Sequence, residues 1–504
     1  MKKLLVMLLA LVLVLGTMVA SAETAFDNHI TVEISMWEID GFGNDAISDL
    51  IQEKFNCEIV PILQEWSDYR EKFRLLASSD ELPDSFAGYP LSESWFADFV
   101  SQEMIRTIPQ ELIDQYPNVK ATCEASQEWK LSQAIFGDIY YIPRMLSAKG
   151  DVTADRDGFY YRADWAEKLG YTETPADMET LYDMLYAFAH EDPDGNGQDD
   201  TFGYVGNLGI LYTGFDAYPG MWVKGEEGAI PGYLDKDAMI SALSWLRKAY
   251  ENGVIDPELS NDVSKWTQGT FGAYEHVLDA YWINRNVMEE FGGANPDLDP
   301  LAVTKIITAL SAQPGGTPTK GPNLDTSGTC FAYDTTDEEL ERLLAIYDYL
   351  LSDEGNALRY WGIEGEDYSV NEDGSFTKLH DEALRTKYPS IFIQNWPSWD
   401  HDFLMDVEKG DPAISTEVKE MALAAREASN AAYDPETSKI DTLAGYISTE
   451  EKMEFMFDYD AELVSIITGT EDVEAMYDAF VAKAYDIGVQ EVIDSVNAFA
   501  ATLS

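Results

Sequence analysis

Apolar and polar residues alternate along 30–37 (Ile-Thr-Val-Glu-Ile-Ser-Met-Trp), the period of a half-buried strand. After a Gly/Asn turn at 41–44 the period changes. Ile47, Leu50, Ile51 and Phe55 are three or four apart, which predicts a helix over 46–55. A strand at 58–63, a helix at 69–77 and a short strand at 85–88 follow. This βαβαβ order implies a parallel sheet with helices on its faces, and ligands of such sheets sit beyond the carboxyl ends of the strands. Trp37 and Tyr89 lie at two of those ends.

The pattern continues with a hairpin or strand over 136–144, a strand at 159–162, and helices at 164–169 and 175–189. A strongly amphipathic helix covers 234–250, with Met239, Leu243, Leu246 and Tyr250 on one face and Gly253 as its stop. Strands are expected at 303–310 and 330–333, separated by a Pro/Gly/Thr-rich connector, and a helix at 337–351. Asn371 to Gly374 reads as a hairpin turn. The C-terminal part, 412–502, is nearly all helical.

The 175–189 helix leads into the most informative stretch, Asp-Pro-Asp-Gly-Asn-Gly-Gln-Asp-Asp-Thr-Phe-Gly at 192–203. Oxygen side chains recur at alternate positions, Asp192, Asp194, Asn196 and Asp200. Gln198 stands where an EF-hand-type loop offers a backbone carbonyl, and Gly197 where the chain must turn sharply. A hard cation needs six to eight oxygens, so the pattern predicts a structural Ca²⁺ held by Asp192, Asp194, Asn196, Gln198 and Asp200. The twelfth position departs from that pattern: Gly203 replaces the bidentate Glu. The missing ligand then comes from elsewhere, Thr201 or a distant carboxylate, or the loop binds more weakly. The alternative is a polar turn without metal.

Charge and termini narrow the class. The 504 residues carry 33 Lys+Arg against 92 Asp+Glu, a formal net of −59. Such a field repels nucleic acid and anionic membranes. Residues 1–22 read as a cleavable secretory signal: Lys2 and Lys3, an apolar run over 4–15, then Ala20-Ser21-Ala22. No cysteine stands near that site to accept a lipid. Cys57, Cys123 and Cys330 form no disulfide framework; free buried thiols, or one pair plus a leftover, are expected. Five histidines without metal-site spacing argue against a zinc site.

Several separate stretches resemble one family. They are Tyr141-Ile142-Pro143-Arg144, the step from Tyr161 to Trp165, the run 188–203, the run 245–257 ending Asn252-Gly253-Val254-Ile255-Asp256-Pro257, the Leu-Leu-Ser-Asp-Glu-Gly of 350–355, and Trp361 to Gly365. In order and spacing the chain is similar to the extracellular solute-binding proteins of carbohydrate ABC transporters, of the calcium-loop-bearing group. That resemblance implies an α/β, two-lobed periplasmic-binding-protein type II fold with a hinge and a helical C-terminal part. The first lobe would be 27–145 plus 325–365, the second 146–324 plus 366–504, with the calcium loop bracing the second. It also implies an oligosaccharide ligand, ABC permease subunits as partners, a monomer, and a place outside the cell membrane. Members of the group are commonly lipoproteins; this chain lacks the acceptor cysteine.

A pyranose presents an apolar C–H face and a rim of hydroxyls, so its site needs aromatic walls and a few placed polar groups. The residues expected to supply them are Trp37 and Tyr89 from the first lobe, Tyr141 and Arg144 near the crossing, and Trp222, Trp282, Trp396, Trp399 and Asp400 from the second. Core packing is the competing reading for each aromatic, and a hinge ion pair for Arg144. The competing functions are a secreted, calcium-stabilised polysaccharide-degrading enzyme and a peptide-binding protein. The acidic body favours neutral sugars unless the cleft itself is basic.

Overall fold

The structure is a computed structural model that describes residues 26–37, 43–65, 68–91, 93–144, 154–198, 200–260, 262, 264–323, 327–390, 396–398 and 401–503. Two sheets organise it. In chain order the strands are β1 (Ile30–Trp37), β2 (Cys57–Gln64), β3 (Ser85–Gly88), β4 (Tyr141–Pro143), β5 (Asp157–Arg162), β6 (Phe202–Val205), β7 (Trp222–Lys224), β8 (Ala229–Pro231), β9 (Phe271–Val277), β10 (Thr304–Ile307) and β11 (Gly328–Phe331). A further hairpin pairs β12 (Tyr368–Val370) with β13 (Phe376–Lys378), and its turn contains Gly374 at φ 87°.

The first sheet has the order β2-β1-β3-β11-β4. Its parallel part runs in register from Ile30 opposite Cys57 to Trp37 opposite Gln64; β11 is antiparallel to both β3 and β4. Alternation along β1 buries Val32 and Ile34 completely. They meet Ile47 and Ile51 of the helix Ala46–Phe55 and Leu340 and Leu344 of the helix Asp337–Leu350. Each such side chain contributes roughly 1.5–3 kcal/mol of transfer energy. Asp45 caps the first of these helices through the backbone N–H groups of Ile47 and Ser48, and Asn56, in the left-handed region at φ 47°, ends it. The expected strand over 136–144 is shorter: Phe136 closes the helix Gln127–Phe136, Gly137 stops it at φ 83°, and pairing starts only at Tyr141.

The second sheet has the order β10-β5-β9-β6. Here β5 is antiparallel to both neighbours, and only β6 and β9 are parallel. Successive residues of β5 feed opposite faces. Phe159 and Tyr161 join the core made with the helices Met178–His190 and Lys236–Glu251 and the C-terminal helices. Tyr160 joins the one made with Trp266, Phe291 and the helix Thr416–Ala432.

Two crossing segments join the sheets and pair with each other. Arg144 N donates to Ser327 O at 2.9 Å, Asp155 N to Gly321 O at 2.8 Å, and Ala154 bridges to Pro322. A third passage differs from the expected division at 366. Tyr388 and Trp396 are buried in the core of the first sheet, and Ser390 N donates to Asp45 Oδ2 at 2.7 Å.

Candidate functional site

The carboxyl ends of β1, β2 and β3 form one edge of the first sheet. A polar ladder ties them: Ser35 Oγ donates to Gln64 Oε1, and Gln64 Nε2 donates to Ala87 O, each at 2.9 Å. Just beyond, Glu93 gathers three side chains. Arg70 Nε donates to it at 2.8 Å, Trp95 Nε1 at 2.5 Å, and the Tyr69 hydroxyl closes the group. Arg70 and Glu93 were not picked out by sequence reasoning; their place after the strand ends was the available signal. Tyr89 lies half-buried at this edge.

The matching edge of the second sheet is the start of β5 and the ends of β9 and β6, because the first crossing enters β5 at Asp157. Trp282 stands there, in the short helix Ala280–Ile283, whose cap is Asp279: its Oδ1 accepts from Trp282 N at 2.9 Å. Around the half-buried indole are His276 (ring centroids 4.7 Å apart), Tyr281 (5.2 Å) and the Arg285 guanidinium (5.3 Å). His276 Nδ1 accepts the N–H of Val277 at 2.9 Å, so the neutral ring carries its proton on Nε2. Burial, with Arg285 and Arg156 nearby, pushes its pKa down to about 4. On the other sheet face Glu275 is buried beside Asp157 and Asp155, which raises its carboxyl well above the usual range against the pull of Lys320. Tyr204 OH donates to Asn207 O, and Glu275 Oε2 lies 3.2 Å from the same hydroxyl. Glu275 Oε2 accepts from Tyr204 OH and, at 3.5 Å, from Ile210 N.

The other expected contacts fall elsewhere. Tyr141 is 1% exposed, edge-on to Phe96 at 5.7 Å, so its ring offers no face to a sugar. Arg144 is equally buried and donates to Ser327 Oγ at 2.9 Å, tying the two crossings by a hydrogen bond. Trp222 belongs to the second core, with Lys452 Nζ 5.1 Å from its ring. Trp396 packs edge-on to Tyr347 at 5.1 Å and donates to Ser85 Oγ at 3.3 Å, a packing cluster rather than an open indole. Arg359 holds Ser398 O at 3.3 Å beside it. The Trp37 side chain, and Trp399 and Asp400 altogether, lie outside the described residues. Cys57, Cys123 and Cys330 are free and buried.

The acidic loop is tightly wound. Asp192, Gly195 and Gly197 have φ of 47°, 78° and 77°. Asp192 accepts from the N–H groups of Gly195 and Gly197. Asn196 Nδ2 donates to Asp194 Oδ2 at 2.8 Å and to Asp200 Oδ1 at 3.1 Å. Among the described residues no three acidic, His or Cys side chains are close enough to share an ion. The reason is local: the Asn196 amide N–H₂ sits between two carboxylates, where a cation would sit. Asn196 Oδ1 accepts from Gln198 N at 2.7 Å, and the carboxylates of Asp192, Asp194 and Asp200 are the hard oxygens of the kind such a cation takes. Two details of the expectation change. Thr201 Oγ1 is buried and donates to Phe188 O at 2.8 Å, away from the loop. Gly203 has no room for a side chain: a Cβ would lie 2.5 Å from Val254 O and 2.7 Å from Leu185 O.

The class follows from this architecture. Two α/β halves joined by paired crossings are the fold of two-lobed solute-binding proteins. The chain is similar over nearly its whole length to solved examples. The Streptococcus pneumoniae ABC-transporter substrate-binding protein FusA, in complex with kestose, superposes with a TM-score of 0.67 at 19% identity, covering 94% of this chain and 98% of that one. The alginate-binding protein AlgQ2, solved without calcium ion, gives 0.66 at 16% identity, covering 95% and 99%. A further FusA structure is of an EF-hand mutant in complex with fructo-nystose. By sequence, FusA is 28% identical over 256 residues, 47% of this chain and 46% of FusA; it is named a fructooligosaccharide ABC transporter substrate-binding protein. Lipoprotein LipO of Bacillus subtilis is 26% identical over 333 residues, 62% of each chain. The matched stretches thus span less than two thirds of these curated relatives. No family model matches the chain. Among the described residues no helix is long and apolar enough to cross a membrane.

Proposed function

We propose that this chain is an extracellular substrate-binding protein that captures an oligosaccharide between its two lobes and delivers it to the permease subunits of an ABC importer. The observation that supports this reading is that the paired crossings leave and enter the two sheets at the edges that carry a half-exposed aromatic, Tyr89 on one and Trp282 on the other. Aromatic faces with hydrogen-bonding neighbours are the recipe for a sugar. FusA, named for fructooligosaccharides, supports the ligand class. The chain acts as a monomer without catalysis, is exported by cleavage after Ala22, and crosses between its lobes near 145 and 325, with the segment through Tyr388 and Trp396 belonging to the first core. The test is calorimetric titration of the mature protein with an oligosaccharide panel, followed by chromatography of the recovered sugar. Binding of an unchanged sugar supports transport. Cleavage would replace it with the degrading-enzyme reading, and binding of peptides alone with the peptide reading.

The loop 192–200 binds Ca²⁺ in this proposal and braces the helix Met178–His190 against β6, the elements it connects. The EF-hand description of FusA supports it. At a free calcium concentration a hundredfold above Kd the native state gains about 2.7 kcal/mol. EDTA should therefore lower Tm by several degrees, and Asp194→Asn with Asp200→Asn should abolish the difference. An unchanged Tm together with no metal by elemental analysis would refute the site.

A further inference from the structure

We infer that the groove along the second crossing is a further binding site for a neutral saccharide, with Tyr433 as its aromatic wall and Asp216 and Asp434 as its acceptors. The inference rests on the saccharide-binding reading above and adds a site to it.

Two cavities of about 430 and 340 Å³ share Tyr433 and Ser438 and so form one groove. Both volumes fall in the range of small-molecule sites. The half-buried Tyr433 stands at their junction. The second crossing lines both, through Thr319 and Lys320 in the larger cavity and Pro322 in the smaller. Neither Tyr89 nor Trp282 lines the groove, so it is a different place from the strand-end edges. The smaller cavity also takes Glu128 and Leu131 from the helix Gln127–Phe136 of the first lobe. A sugar held there touches both lobes and the crossing.

The walls are fixed by named bonds. The helix Thr416–Ala432 gives the larger cavity Ala428, Ala431 and Ala432, small side chains that leave the space open. That helix is tied to the first crossing by Ser429 Oγ donating to Asp155 O and by Asn430 Oδ1 accepting from Ala154 N, each at 3.0 Å. Asp434 shapes the turn after it: Oδ1 accepts from Glu436 N at 3.0 Å and Oδ2 from Thr437 Oγ1 at 2.9 Å. Lys320, 4% exposed, holds the second crossing, with Nζ donating to Asp157 O and lying 3.3 Å from Asp155 Oδ2.

The lining suits hydroxyl groups. Asp216 lies 3.1 Å from Lys439 Nζ and beside the buried Tyr218 hydroxyl. An ionised carboxylate has about four acceptor sites, so Asp216 and Asp434 can also accept from sugar hydroxyls. Thr317, Thr319, Thr437 and Ser438 both donate and accept. The ammonium groups near the groove serve the protein: Lys320 as above, Lys439 on Asp216 and on Asp235 at 2.7 Å, and Lys224 on Ser438 O at 2.8 Å. Among the described residues no arginine lines the groove, so the two-pronged partner of a sugar carboxylate is missing. The ligand class is therefore a neutral saccharide.

The experiment titrates the mature protein by calorimetry with maltotetraose, cellotetraose, nystose and a trimer of α-1,4-linked galacturonate, and repeats the titrations on three variants. Ala431→Trp fills the larger cavity from an exposed position. Tyr433→Ala removes the aromatic wall, and Trp282→Ala removes the aromatic of the strand-end edge. Expected is that at least one neutral tetrasaccharide binds and that Ala431→Trp and Tyr433→Ala each weaken it on the order of tenfold at unchanged Tm. If Tyr433→Ala lowers Tm, Ala431→Trp decides. A loss confined to Trp282→Ala, with the groove variants at wild-type affinity, overturns the inference and leaves the saccharide reading standing. A galacturonate trimer that binds more tightly than every neutral sugar, and is weakened by the groove variants, overturns the neutral assignment. If no sugar binds the wild type, the saccharide reading falls and takes the inference with it.

Discussion

Asp367→Asn should destabilise this protein far more than an ordinary isosteric substitution. Asp367 is 2% exposed and accepts from four donors. These are Ile363 N at 2.7 Å, His380 Nε2 at 2.7 Å, Lys387 Nζ at 2.5 Å and Tyr388 OH at 3.0 Å. The four come from the turn after the helix Asp353–Trp361 and from the segment that carries Tyr388 into the first core. Asparagine keeps the shape but brings one acceptor and an N–H₂ that faces the ammonium of Lys387. Breaking a buried ion pair costs about 3–5 kcal/mol. Lys387 is 26% exposed and regains water, so the low end applies, about 3 kcal/mol. At about 2–4 °C per kcal/mol for a unit of this size, Tm should fall by roughly 6–12 °C. The pH dependence is a second signature. Burial alone would raise the Asp367 carboxyl, but Lys387, the Ile363 N–H, His380 and Tyr388 together hold it below the usual range. A depressed pKa adds stability that is present above the unfolded value, about 3.9, and is lost as pH falls through the folded one. The gap between wild type and variant should be full at pH 7 and shrink below about pH 4 in a series of thermal melts. A gap under 1 °C at pH 7, or one that stays constant down to pH 3, would refute the hub.

Trp396→Ala should cost about 3–5 kcal/mol, the price of an emptied aromatic site, and lower Tm, whereas a wall residue would lose ligand affinity with Tm unchanged; melts and titrations on one preparation separate the two. Glu275→Gln should flatten the pH dependence of stability. A carboxyl whose folded pKa is raised favours the fold below the unfolded value and loses that contribution as pH climbs toward the folded one. Wild type should therefore lose stability between pH 4.5 and neutrality relative to the variant, and parallel denaturation curves across that range would refute a protonated Glu275.

The first sheet was legible because local patterns suffice there. The 30–37 alternation, the 46–55 helical spacing and the short 85–88 run are each read within ten residues, and a parallel βαβ arrangement follows from order alone. The winding of the acidic loop was legible for the same reason, since Gly195 and Gly197, both in the left-handed region, mark it locally. The second sheet was not. Pairing β5 antiparallel to both β9 and β10 joins residues more than a hundred positions apart, and nothing in the local period of any one strand encodes it. The docking of Tyr388 and Trp396 onto the first core is non-local in the same way: a segment that follows the β12–β13 hairpin returns to Ser85 and Tyr347. Among the described aromatics, Trp222 and Trp396 have the loop context of wall residues, but an indole beside proline serves a core as readily as a cleft. Tyr89 and Trp282 are distinguished only by where the strands end.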